Sequence, residues 1–222
     1  MARRFRPSRP PTPRPIAPSR RPPENRLPEV AGVVLAGGRS TRFGRDKLAQ
    51  SYRGMPLLHH AVLRLGEVCD QIVVVLAPDA PEPSMPPGIA VMFARDPTEG
   101  EGPLAGLHAG LLAAPSDLAL VAAGDMPDLQ TRVLLELLQV ADEAPVDAVA
   151  LQDGDRYRPL PCVVKNTAAV EAAHALLHAE HRALHDLLDA LRVAVIDEAT
   201  WVGLDPARRT LFDVDEPSDL DG

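Results

Sequence analysis

Leu35 to Lys47 reads LAGGRSTRFGRDK and follows the apolar run Val30-Ala31-Gly32-Val33-Val34-Leu35. A short, continuous apolar run of this kind reads as a strand buried on both faces. Three glycines then fall within eight residues, at Gly37, Gly38 and Gly44. Glycine lets a backbone approach a ligand closely and take positive φ, so such a loop can aim several N–H groups at one anion. Arg39, Arg42, Arg45 and Lys47 add four cations. Glycines and cations directly after a strand are the chemistry of a phosphate-binding loop. Two common versions are excluded, because neither G-x-x-x-x-G-K-[ST] nor G-x-G-x-x-G is present. A glycine-rich turn with solvated arginines is the plainer reading. The agreement of strand, glycines and cations favours the phosphate loop.

The charge of the chain is unevenly placed. Residues 1–26 hold eight arginines and one glutamate, a balance of +7, within a total of −8 over 222 residues, so the remainder carries −15. An acidic body argues against nucleic-acid binding. Residues 1–28 also hold nine prolines and have no apolar periodicity, which predicts a disordered tail, with residues 29–222 as one domain. The Arg3-Arg4 pair resembles a twin-arginine signal, but no apolar segment follows it. Hydrophobic residues make up 45% and aromatics only 3%, so the core is expected to be Leu, Val and Ala. Cys69 and Cys162 have neither metal-like spacing nor a disulfide framework, which fits a reducing cytosol. No apolar run is long enough to span a bilayer.

Downstream, Leu58, Ala61, Val62 and Leu65 recur at helical spacing within a predicted helix from Pro56 to Cys69. Gln71 to Leu76 and Ile89 to Phe93 read as strands around a Pro-rich linker, Ala77 to Gly88. Strands alternating with helices predict a three-layer α/β fold, with a mainly parallel sheet of about seven strands. Asp96 to Gly106 reads DPTEGEGPLAG; Gly100 and Gly102 frame a loop, and Pro103 suits a first helical turn. A helix start there offers N–H groups to an anion, or is an ordinary loop junction. Leu118 to Leu129 reads LALVAAGDMPDL, a strand of small residues ending at Asp125. A carboxylate at the carboxyl end of a parallel strand suits Mg²⁺, although alone it reads as a turn aspartate ahead of Pro127. Asp128 is expected to cap a helix from Leu129 to Val140. Asp147 to Leu151 and Tyr157 to Val164 are candidate strands, and Thr167 to Leu177 a helix.

Taken in order, LAGGRSTRFGRDK, DPTEGEGPLAG and AGDMPDL resemble the motifs of the molybdenum cofactor guanylyltransferase (MobA-type) family of nucleotidyltransferases. Phe43 stands where that family usually has methionine. The resemblance implies a Rossmann-like nucleotidyltransferase fold, GTP and Mg²⁺ as ligands, and molybdopterin (the molybdenum cofactor) as acceptor. It also implies a cytoplasmic protein that hands its product to a molybdoenzyme or another cofactor-biosynthesis protein. Carried over by position, Leu35, Ala36, Gly37 and Gly38 contact the guanine nucleotide, Lys47 its phosphates, and Asp96 the nucleotide. Asp125 binds both nucleotide and Mg²⁺, and Arg42 with Lys47 neutralises the departing pyrophosphate. An asparagine of the family aligns with Leu76, its His-Pro with Arg158-Pro159, and its Asn-Val-Asn-Thr-Pro with Asp213-Val214-Asp215-Glu216-Pro217. Asp213 and Asp215 share a face if extended, and one of them approaches the metal or the acceptor, or they form a strand end and a cap.

Two further readings stay open: another nucleotidyltransferase of this fold, acting on a sugar phosphate or transferring cytidylyl, and a GTP-binding cofactor-delivery protein without turnover. His174, His178, His181 and His185 are spaced 4, 3 and 4. An unbroken helix would gather them for Zn²⁺, whereas a turn from Glu180 to Leu184, as the family has, leaves them solvated.

Overall fold

The computed structural model describes residues 29–37, 46–97 and 102–221. The N-terminal tail, the middle of the glycine loop and Thr98 to Glu101 therefore lie outside the described residues. The elements in chain order are β1 (Val30–Leu35), β2 (Ser51–Tyr52), β3 (Met55–Pro56), α1 (Leu57–Gly66), β4 (Gln71–Leu76), β5 (Val91–Arg95), α2 (Pro103–Ala113) and β6 (Leu118–Ala123). They continue with α3 (Thr131–Glu143), β7 (Ala148–Asp153), β8 (Arg156–Lys165), α4 (Asn166–His178), α5 (Leu184–Ala190), β9 (Val193–Ile196) and α6 (Glu198–Leu204). Short 3₁₀ turns follow at Arg209–Leu211 and Pro217–Asp221.

Seven strands form one sheet in the order β5-β4-β1-β6-β8-β7-β9, and β2 pairs with β3 in a small hairpin. Every pairing in the large sheet is parallel except those of β8, which runs against both β6 and β7. Alternate residues of each strand feed opposite cores. Val30, Val34, Ile72, Val74, Leu118 and Leu120 pack under α1, α3 and α6. Ala31, Val33, Val73, Val75, Ala119 and Val121 pack under α2, α4 and α5. With both faces covered, the strands need no polar alternation, which is why β1, β4 and β6 read as continuous apolar runs.

The predicted three-layer, mainly parallel sheet is the one observed. The third strand lies two residues later than its apolar run suggested, at β5, because pairing with β4 sets its register: Ile72 opposes Val91 and Leu76 opposes Arg95. Helix α1 is shorter than expected, since the chain turns back at Glu67 to Cys69 to feed β4. The β2–β3 hairpin, α5, β9 and α6 carry too little periodicity to stand out in sequence.

Close packing of α2 on the sheet uses a small residue. A side chain at Gly110 would meet Val75 Cγ2 and Val33 Cγ1 at 2.6 and 2.7 Å. Gly102, one residue before α2, has φ +87° and sits against the backbone of Arg182, where a Cβ would come within 2.9 Å of the carbonyl oxygen. That carbonyl accepts Leu104 N–H at 3.2 Å. Gly102→Ala is therefore expected to destabilise the fold by roughly 1–3 kcal/mol, seen as a fall in Tm of about 2–12 °C by calorimetry. A Tm within a degree of the parent would show that the α2–Arg182 contact is dispensable.

Candidate active site

The carboxyl ends of β1, β4, β5 and β6 lie side by side, and the predicted residues follow them. Leu35 closes β1; its carbonyl accepts Gly124 N–H from the end of β6 at 2.9 Å, while Ala36 N–H donates to Val75 O of β4 at 2.8 Å. The chain is thus pinned on both sides before Gly37 releases it into the loop. Asp96, just beyond β5, donates its N–H to Leu76 O at 2.9 Å. Its carboxylate lies against the first turn of α2: a Cβ at Gly106 would be 3.2 Å from Asp96 Oδ2. The α2 start does not present all its N–H groups as the sequence suggested, because Leu104 N–H is taken by Arg182 O. The Leu76 side chain is buried in the α1-side core and offers nothing to a ligand. Gly38 and Arg42 lie outside the described residues.

Lys47 and Asp125, 78 residues apart, meet at this edge. Lys47 Nζ donates to Asp125 Oδ2 at 2.7 Å and to Val214 O at 2.5 Å, and Val214 N–H donates back to Asp125 O at 3.0 Å. The pair is mostly shielded, with side-chain exposures of 14% for Lys47 and 24% for Asp125. Asp46 sets this up: its carboxylate accepts Leu48 N–H at 3.0 Å, and Gln50 N–H donates to Lys47 O. This tight turn directs Lys47 inward. The Asp directly ahead of the lysine is the local sequence feature that makes this turn.

Asp213 precedes Val214 and is half-buried. Burial pushes its carboxyl above the usual range; Asp215 and Asp125 add to the rise and Arg158 opposes it. Asp125 and Asp213 line one cavity of about 370 Å³ together with Arg156, Tyr157, Arg158 and His185. The cavity extends from the end of β6 toward the β7–β8 hairpin and the start of α5. His185 and Tyr157 rings lie 6.0 Å apart at its wall. The four spaced histidines do not form a metal site. Helix α4 ends at His178, Glu180 takes φ +63°, His174 and His178 contact each other, and His181 pairs with Asp186. Among the described residues no three His, Cys, Asp or Glu side chains converge to hold a metal. Burial pushes both thiols, Cys69 and Cys162, up to about 12, so neither serves as a nucleophile at neutral pH.

Asp128 is not the cap of α3; Gln130 occupies that position. Its buried carboxylate instead accepts from Tyr52 OH at 3.0 Å, from Arg53 at 3.0 Å and from Arg209. Burial, then the bond to Asp128, raises the Tyr52 hydroxyl. The hairpin, the Asp125–Asp128 loop and the C-terminal segment are joined through this one charge, and Val214 packs on Tyr52 and Leu57 beside it. Sequence reasoning missed the node because its hydrogen-bonded partners are 75 to 157 residues apart. Asp128→Ala leaves these donors without their acceptor and is expected to cost roughly 1–3 kcal/mol, with faster proteolysis of the C-terminal segment. Unchanged stability by urea titration would show the node to be passive.

The chain is similar to proteins of known family and fold. The family model described as a MobA-like NTP transferase domain matches residues 32–195. A Mycobacterium tuberculosis protein named "Probable molybdenum cofactor guanylyltransferase" is 35% identical over 186 residues, 80% of this chain and 90% of that protein. A Natronomonas pharaonis protein of the same name is 33% identical over 196 residues, 87% of this chain and 96% of that one. Among solved structures, molybdopterin-guanine dinucleotide biosynthesis protein A from Archaeoglobus fulgidus superposes with TM-score 0.70 at 22% identity, covering 86% of this chain and 95% of that one. The 2-C-methyl-D-erythritol 4-phosphate cytidylyltransferase of Thermus thermophilus shares the fold with TM-score 0.63 at 20% identity, covering 85% and 94%. The chain belongs to the MobA-like NTP transferase domain family.

Proposed function

We propose that this protein transfers GMP from GTP to the terminal phosphate of molybdopterin and releases pyrophosphate. The observation that carries the reading is the Lys47–Asp125 pair at the carboxyl end of β6, with Asp96 following β5 at the same end of the sheet and a polar cavity opening beside Asp125. The names of the relatives supply the substrates. The backbone at Ala36 and Gly37 faces the nucleotide, Asp96 holds it from the β5 side, and Gly38 and Arg42 complete the loop. Lys47 is a compact cation for the β- and γ-phosphates.

The donor set suits Mg²⁺, which takes one or two carboxylates and completes its shell with phosphates and water. Asp125 would hold it, a reading supported by the carboxylate already accepting one positive charge, the Lys47 ammonium. When bound, Mg²⁺ supplies charge neutralisation on the phosphate oxygens. An oxygen of the acceptor phosphate attacks the α-phosphorus in line, and the bond to pyrophosphate breaks, with its electron pair leaving on pyrophosphate. That oxygen is already ionised at neutral pH, so no general base is needed. Catalysis is positioning and charge stabilisation.

Pyrophosphate release, measured with Mg²⁺, molybdopterin and each of the four NTPs, tests the reading; GTP is expected to be the preferred donor. Preference for CTP points to cytidylyl transfer, and GTP binding without pyrophosphate release points to a delivery protein. The two charges at the site are separable. Asp125→Asn is expected to abolish Mg²⁺-dependent turnover while metal-free GTP binding survives or tightens. Lys47→Ala is expected to weaken GTP roughly ten- to hundredfold with or without Mg²⁺, the loss of one charge-assisted contact of ~1.5–3 kcal/mol. Isothermal titration in Mg²⁺ and in EDTA distinguishes the two.

A further inference from the structure

Arginines near the cavity beside Asp125 differ in how fully they are used. Arg208 is bonded to Glu198 and to Asp153 at 2.8 Å, and its guanidinium lies over the Trp201 ring. Arg209 is held by Asp128 and Tyr52. Arg158 lines the cavity and is different. Among the described residues its guanidinium has two ion-pair partners, Asp153 Oδ2 at 3.8 Å and Asp213 Oδ1 at 4.0 Å. Both distances exceed hydrogen-bond range. The side chain is 41% exposed. Its fork of donors is therefore aimed by two carboxylates yet bonded to neither.

We infer that Arg158 receives the phosphate of the acceptor, with Asp153 and Asp213 as its positioning residues. The inference rests on the guanylyl-transfer reading above and assigns a residue to its acceptor side. A guanidinium matches a phosphate with two parallel N–H···O bonds. Asp213 is the link to the reacting centre: the next residue, Val214, is bonded both to Lys47 Nζ and to the Asp125 backbone. A phosphate seated on Arg158 thus lies on the β8 side of Asp125, away from the end of β1, and in-line attack needs donor and acceptor on opposite sides of the reacting phosphorus. Arg158 transfers no proton. It orients the attacking oxygen and offsets the repulsion between two phosphate groups. Arg158 and Asp213 oppose each other at the cavity, so their positive and negative charges compensate.

The test varies molybdopterin at saturating GTP and Mg²⁺. Arg158→Ala is expected to raise the acceptor KM roughly ten- to hundredfold, with the GTP Kd and the Tm within twofold and two degrees, respectively, of the parent. Arg158→Lys, which keeps the charge but loses the fork, is expected to recover only part of that loss. Asp153→Asn is expected to raise the acceptor KM by roughly two- to fivefold with kcat unchanged, an effect smaller than loss of the fork itself. If the wild type transfers GMP while Arg158→Ala keeps the parental acceptor KM, the inference falls and the guanylyl-transfer reading stands. If the wild type releases no pyrophosphate, that reading falls, and molybdopterin binding by fluorescence quenching decides Arg158 separately. Equal affinity of wild type and Arg158→Ala would then overturn it.

Discussion

Parallel strands covered on both faces have only their ends left to present to a ligand. In this protein β1 sits between β4 and β6, so the three strand ends that carry the glycine loop, the β4 exit and Asp125 are forced into one row. The connection from β1 runs to β4 on one side and the connection from β5 returns to β6 on the other, and this change of direction opens a crevice above the sheet. The backbone bonds from Leu35 O and Ala36 N close that row tightly. Gly37 and Asp125 follow directly from these few fixed main-chain positions.

A second constraint comes from the C-terminus. After α6 the chain returns across the sheet edge, secured by Asp205 on Thr210 N–H, by Thr210 on Gln130 N–H, and by Arg209 on Asp128. It passes beside Asp125, where Val214 serves as both donor and acceptor. The ammonium of Lys47 lies between the strand-end carboxylate and this returning segment. A charged pair so shielded depends on its additional bonds to offset desolvation, and the Val214 carbonyl provides one. The C-terminal segment is thus part of the site rather than an appendage to it.

Leu76, Arg158 and Asp213 acquire meaning from the same geometry. Leu76 is committed to the core and offers no side-chain contact to a ligand. Arg158 and Asp213, unrelated in sequence, face one another across the cavity. The acidic body is locally relieved there by Arg156 and Arg158.

The sequence by itself determined the layered α/β class, since continuous apolar runs separated by helical periodicity leave little else for β1, α1, β4 and β6 to become. It also put Lys47 behind a glycine-rich loop and Asp125 at a strand's carboxyl end, because glycine-framed loops and strand-end carboxylates are local patterns. Local patterns end where pairing begins. The register of β5, the reversed direction of β8 and the short elements after α4 depend on hydrogen bonds to distant strands. The role of Asp128 shows the limit: a capping preference acts within one helical turn, but a buried carboxylate goes to whichever cations the fold delivers. Only the tertiary structure placed Arg53 and Arg209 on Asp128, set the Lys47 ammonium on Asp125, and brought His185 and Arg158 to the cavity. Each of these is an electrostatic contact between residues distant in the chain, and sequence spacing carries no record of such distances.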